Sequence, residues 1–262
     1  MKIQTIRIIS MLVAIIASAI LLNSPFAAQS RAKTATLRVY TSDGFKPALQ
    51  ALIPKIEKSI GCKVAPSFES SRTLQQKIDS GEAFDVAILS TNVIDDLVKS
   101  GKISADTRAT LGQAGIGVGV RAGAPKPDIS SPEAMKRTLL NAKSIAFNRD
   151  GASAVHINEM VEHLGIADKV KPKFMPEVGA GQPQRDVAAG KAQMVITLIP
   201  EIADFKGLDL VGPLPSELES YIDFTAGVAM KSQNPAAAKA LIKFLKDPSV
   251  AGTLKAKGVD TK

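Results

Sequence analysis

From Leu37 onward, short runs of β-forming residues alternate with stretches whose apolar residues recur every three or four positions, and few folds accommodate that alternation. Leu37–Tyr40, Val64–Phe68 and Val86–Leu89 read as strands. Between the first two lies a helix whose stripe runs through Phe45, Leu49, Leu52, Ile53, Ile56 and Ile60 and stops at Gly61. Thr73–Ser80 and Asn92–Ser100 read as the next helices. Strand followed by helix followed by strand predicts an α/β protein with open sheets covered by helices on both faces.

Each of these strands ends in a polar loop: Thr41-Ser42-Asp43-Gly44, Glu69-Ser70-Ser71-Arg72 and Ser90-Thr91-Asn92. In an open parallel sheet the carboxyl ends of the strands line the ligand crevice, so these loops hold the first candidate binding residues. Gly115–Arg121 is a glycine-punctuated strand followed by Ala-Gly-Ala-Pro-Lys-Pro, a change of composition that suits a crossing into a second lobe. Ser131-Pro132-Glu133 then starts a helix, and alternation resumes with Ser144–Phe147, Ser153–Leu164, Val195–Thr197 and Leu208–Val211. Phe224–Met230 reads as a strand crossing back, followed by two proline-started helices at Pro235–Lys246 and Pro248–Lys257. The expected organisation is a first lobe from residues 29–118 and 223–262, a second lobe from 119–222, and a ligand cleft between them.

Residues 1–28 read as a secretory signal: Lys2 and Arg7 precede the apolar run Ile8–Leu22, and small residues follow at Ala27 and Ala28. The expected address is the periplasm, with no membrane insertion of the mature chain. Cys62 is the only cysteine, so it forms no internal disulfide and is too far downstream to carry a lipid at the cleavage site. It reads as a small buried apolar residue at a strand start. Removal of the signal takes the formal charge from +8 to +6. With scattered lysines, no tryptophan and two tyrosines, the surface offers no stacking platform for bases, which excludes a nucleic-acid partner. Two histidines without metal-ligand spacing predict no metal and no cofactor, and a monomer is expected.

Phe68-Glu69-Ser70-Ser71-Arg72-Thr73-Leu74 and Ile78-Asp79-Ser80-Gly81-Glu82-Ala83-Phe84-Asp85-Val86, with Ile88-Leu89-Ser90, the segment Gly151–Gly165 and Ala188-Ala189-Gly190-Lys191-Ala192, resemble the molybdate-binding proteins of ABC transporters. The resemblance covers nearly the whole mature chain and implies the two-lobed type II periplasmic binding protein fold. In that family hydroxyls and backbone N–H groups at helix N-termini hold a tetrahedral oxyanion. The resemblance carries those contacts to Gly44 or the neighbouring Ser42, to Ser71, to the region of Ser153 and to Thr197. Only Ser71 is a clean match.

Asp43, Arg72, Arg149, Asp150 and His156 stand in the same loops, with Arg185 on a later helix. Arginine forks grip planar carboxylates through two parallel hydrogen bonds, which points to an organic acid. Arg149 and Asp150 read equally well as a surface pair, and Arg185 as a solvated side chain.

Two function classes follow. One is a transport receptor delivering a small anion, an oxyanion or a carboxylate, to an ABC permease. The other, preferred here, is an enzyme: the branch of the family with such altered sites resembles a secreted aconitate isomerase, which interconverts the trans and cis isomers by a 1,3-proton shift. Ser42, Gly44, Ser70, Ser71, Arg72, Arg149, Ser153 and Thr197 are then the substrate-binding candidates, and Asp43, Glu69 and His156 the candidate proton-transfer groups.

Overall fold

Residues Thr36–Ser42 form β1, which pairs in parallel on both edges, with β2 (Lys63–Glu69) and with β3 (Val86–Ser90). The structure, a computed structural model, describes residues 36–261, so the expected signal at residues 1–28 lies outside it. A 3-10 turn at Asp43–Phe45 leads from β1 into α1 (Lys46–Ile60), and α2 (Ser71–Asp79) and α3 (Thr91–Lys99) follow β2 and β3. The apolar stripe of α1 buries Leu49, Leu52 and Ile56 completely, and Gly61 ends the helix in the left-handed conformation that glycine adopts without strain. Cys62, buried, immediately precedes β2.

The chain continues through β4 (Ala109–Arg121), α4 (Pro132–Asn141), β5 (Ile145–Asn148), α5 (Ser153–His163), α6 (Ala167–Val170), β6 (Phe174–Glu177) and α7 (Gln182–Ala188). It then runs through β7 (Met194–Leu198), α8 (Ile199–Ala203), β8 (Leu208–Pro213), β9 (Tyr221–Val228), α9 (Pro235–Leu245) and α10 (Pro248–Ala256). The strand order is β2-β1-β3-β9-β4-β7-β5-β6, with β8 also paired to β4. β4 joins the two halves: Ala109–Gly115 pairs antiparallel with β9, and Ile116–Arg121 with β7 and β8. The strand expected at Gly115–Arg121 therefore begins six residues earlier, because β9 offers Ala109–Gln113 a backbone partner that local composition does not reveal. Among the described residues, no helix is long and apolar enough to cross a membrane.

The glycines of β4 have a packing cause. β8 and α8 lie so close to this strand that a Cβ on Gly117 would come within 2.8 Å of the Gly212 carbonyl oxygen of β8 and of Ile199 of α8, and one on Gly119 within 2.7 Å of Ile202. The first of these neighbours is backbone and cannot turn aside.

At the other end of the first half-sheet, Asp85 has a fully buried side chain. Arg38 donates to its Oδ2 from the backbone N–H at 2.9 Å and from Nε at 3.1 Å, and the Ser232 hydroxyl donates to Oδ1 at 2.9 Å. Burial alone would raise the carboxyl's pKa; these hydrogen bonds and the guanidinium charge hold it below the ordinary value. One carboxylate thus ties β1 to the start of β3 and to the segment after β9.

Two substitutions test this scaffold by denaturant unfolding. Gly117→Ala should cost about 2 kcal/mol through overpacking against the Gly212 carbonyl. Asp85→Ala should cost about 3 kcal/mol at neutral pH, since it leaves the Arg38 and Ser232 donors without their acceptor. Because the folded carboxyl titrates low, its contribution is complete above the ordinary carboxylate range near pH 4 and disappears as the pH falls below it. The gap between wild type and variant should therefore narrow in acid.

Candidate functional site

Three helices begin around one cavity of about 400 Å³. α2 contributes Ser71 and Arg72, α3 contributes Thr91 and Asn92, and α5 contributes Ala154, Val155 and His156 together with the preceding loop Arg149–Ala152. Tyr221 and Asp223 at the start of β9 complete the wall. The first turn of a helix carries N–H groups without intrahelical partners and the positive end of the helix dipole, so the convergence of three such turns favours an anion.

The side chains add to this field. The Ser71 hydroxyl is buried and accepts a hydrogen bond from the Ser90 N–H at 3.0 Å, which fixes the oxygen and leaves its own proton to donate. Arg72 is exposed at the cavity, where its fork of donors faces solvent. Arg149 sits with its Nε 4.0 Å from Asp150 Oδ1, a loose pair at an exposed rim. His156 is partly exposed, with Nδ1 3.5 Å from Glu159 Oε2.

Asp43 lies elsewhere. With Lys46 it lines a second cavity of about 150 Å³, whose other walls are Phe68 of β2, Gln184 and Arg185 of α7, and Glu201 of α8. Glu201 receives two hydrogen bonds on one oxygen: the Thr197 hydroxyl donates to Oε2 at 2.7 Å and Gln184 Nε2 donates to the same atom at 3.1 Å. Gln184 is only 4% exposed, and its Oε1 has no hydrogen-bond partner. Burial, reinforced by the negative charge of Glu69, pushes the Asp43 pKa up to about 6, against the pull of Lys46 and Arg185. Burial, reinforced by Asp43, pushes Glu201 up to about 7, opposed by its hydrogen bonds from Thr197 and Gln184 and by Lys46.

The structure thus gathers Ser71, Arg72, Arg149 and His156 at the larger cavity and places Asp43 at the smaller one. Ser42, Gly44, Glu69, Ser70, Ser153 and Thr197 line neither. Ser70 is spent on capping α2, accepting from the Thr73 N–H at 3.1 Å and sharing a 2.8 Å hydrogen bond with the Thr73 hydroxyl. Gly44 is buried where a Cβ would overlap Leu198 and Phe224, which makes it a packing position. Glu69 has Lys77 Nζ at 3.5 Å, Ser42 and Ser153 are buried beside the strand and helix ends, and Thr197 serves Glu201. Arg185 is exposed to solvent, and the Ala180 carbonyl at 2.9 Å and Gln182 Oε1 at 3.0 Å accept its hydrogen bonds.

Sequence reasoning missed Lys46, Gln184 and Glu201. The available signal was Ile199-Pro200-Glu201, an acid in the first turn after a strand end, the same position that made the other loops candidates.

Comparison with known proteins agrees with this architecture. The chain is 32% identical over 232 residues, 86% of its own length and 87% of the relative's, to an aconitate isomerase of a Pseudomonas species. It is 25% identical over 230 residues, 86% of this chain and 89% of the relative, to the molybdate-binding protein ModA of Escherichia coli strain K12. The periplasmic molybdate-binding protein of Azotobacter vinelandii superposes with a TM-score of 0.74 at 21% identity, covering 86% of this chain and 99% of that one, which shows the shared two-lobed type II fold. Residues 37–260 match the family described as bacterial extracellular solute-binding protein, and the chain belongs to that family.

Proposed function

We propose that this protein is a periplasmic isomerase that interconverts trans- and cis-aconitate on a solute-binding fold. The observation that carries this reading is the meeting of two arginines, Arg72 and Arg149, with three helix N-termini around a cavity of about 400 Å³. Such a site suits a small polycarboxylate, each carboxylate of which accepts paired N–H donors from a guanidinium or a helix turn. The 32% identity to an aconitate isomerase over most of both chains supports the same substrate class.

The reaction is a 1,3-proton shift. A base breaks a C–H bond at the methylene carbon, the freed electron pair forms the new C=C bond, and the electrons of the old one take up a proton at the former vinylic carbon. Negative charge spreads in the transition state into the attached carboxylates, where Ser71, Arg72, Arg149 and the first N–H groups of α5 stabilise it. The proton is handled among Asp43, Glu69 and His156. Glu69 is the weakest of the three, because Lys77 Nζ stands 3.5 Å from its Oε1 and its side chain lines neither cavity. With lobes at 29–118 plus 223–262 and at 119–222, closure around the ligand would exclude water from the reacting carbons.

A receptor reading, in which the same cleft delivers an anion to an ABC permease, is favoured by the 25% identity to a molybdate-binding protein. The two readings separate in one assay. Mature protein incubated with trans-aconitate should produce the cis isomer catalytically, followed by proton NMR; tight binding without conversion leaves the receptor.

The clamp is tested separately. Arg72→Ala should raise KM about tenfold or more, and Arg72→Lys should fail to rescue it, because lysine keeps the charge and loses the planar two-point grip. Wild-type kinetics in Arg72→Ala would remove Arg72 from the site.

A further inference from the structure

We infer that Asp43 and Glu201 are the proton-transfer pair of this isomerisation, Asp43 taking the proton from the methylene carbon and Glu201 returning one from Oε1 to the far end of the double bond. The inference rests on the isomerase reading and deepens it, setting the proton transfer at the smaller cavity while the arginine-lined cavity grips the substrate's carboxylates.

Geometry singles out the atom on Glu201. Thr197 and Gln184 both donate to Oε2, at 2.7 and 3.1 Å, so that oxygen is occupied as an acceptor and a proton on this carboxyl belongs on Oε1. Gln184 supplies the independent sign of an occupant. It lines the cavity, is 4% exposed, and has a buried Oε1 without a partner, an acceptor left for a donor to satisfy.

The remaining walls suit a carboxylate bearing the acidic C–H. Lys46 and Arg185 are the cations of the cavity, and Arg185 is pre-oriented by Ala180 and Gln182. The charged groups around the pair are Glu69 from β2, Lys46 from α1, Arg185 from α7 and Asp204 after α8, the last of which has Lys257 Nζ at 3.9 Å. With Asp43 near 6 and Glu201 near 7, Asp43 is the more ionised and Glu201 the more protonated of the two between about pH 6 and 7, which is the division of labour a base and an acid require. After turnover Asp43 carries the proton and Glu201 is ionised; exchange with water or with each other resets them.

The two cavities have lining residues close together in the chain. Phe68 lines the smaller one and Ser71 the larger, with only Glu69 and Ser70 between them in the chain.

The test follows trans-aconitate in D₂O by NMR, reading both formation of the cis isomer and deuterium entering the unconverted substrate. Glu201→Gln should lower isomerisation about 100-fold with KM within about threefold, while methylene exchange at Asp43 continues. Asp43→Asn should lose both. Wild-type kcat/KM should rise as Asp43 ionises through about pH 6 and fall as Glu201 ionises through about pH 7, and the residual activity of Glu201→Gln should lack the fall. Isomerisation by Glu201→Gln within about threefold of wild type overturns the assignment, as does loss of substrate binding in Glu201→Gln that Glu201→Asp fails to restore. A wild type that neither isomerises nor exchanges defeats the isomerase reading itself and this assignment with it, a result distinct from either of those.

Discussion

Because β4 carries glycine at 117 and 119, α8 can rest Ile199 and Ile202 directly on the strand, and Glu201 at the smaller cavity takes its position from that contact. Glu201 lies on α8 between those two isoleucines, and Thr197 is the penultimate residue of β7, which pairs with β4 at Gly117. The hydrogen bond from Thr197 to Glu201 therefore spans a strand and a helix whose spacing is set by the absence of two methyl groups. Glycine in a strand interior costs conformational entropy, and here the cost is offset by bringing a polar side chain to a strand end.

The charges divide between two places. The larger cavity has arginines and helix N-termini, a field that draws an anion from solution. The smaller one sets Lys46 and Arg185 against Asp43 and Glu201, so the cations there shield a carboxylate pair that burial has already made reluctant to ionise. Asp85 shows the opposite outcome of burial in the same molecule, since three donors saturate it and keep it charged. What separates the two behaviours is the company each keeps: Asp85 accepts hydrogen bonds on both oxygens beside a guanidinium, whereas Asp43 and Glu201 are buried beside other carboxylates.

Much of the fold was legible because it rests on local pattern. The stripe of α1, the cap at Ser131 with Pro132 in α4, and the buried runs of β1, β3 and β7 all announce themselves by periodicity or by residue type. β6, with proline in its Phe174–Glu177 run, and α8, five residues long, do not, because their existence depends on partners distant in the chain. The site divides in the same way. Ser71, Arg72, Arg149 and His156 were visible because each follows a strand end within a recognisable loop, and the structure collects them at one cavity. Glu201 was hidden in an apolar stretch, and Asp43 was found without its partner, because pairing of β4 with β7, and not sequence spacing, brings α8 to the end of β1.

The placement of β9 bears on how the chain is made. It fills the gap between β3 and β4, so that residues 86–90 find their second neighbour only in residues 224–228. Until those late residues leave the ribosome, β3 has one edge of unmet backbone groups and β4 lacks the partner of its first half. At a synthesis rate of about 5–20 residues per second, that interval lasts for seconds. A nascent chain in this condition cannot complete its sheet until the residues of β9 have been made.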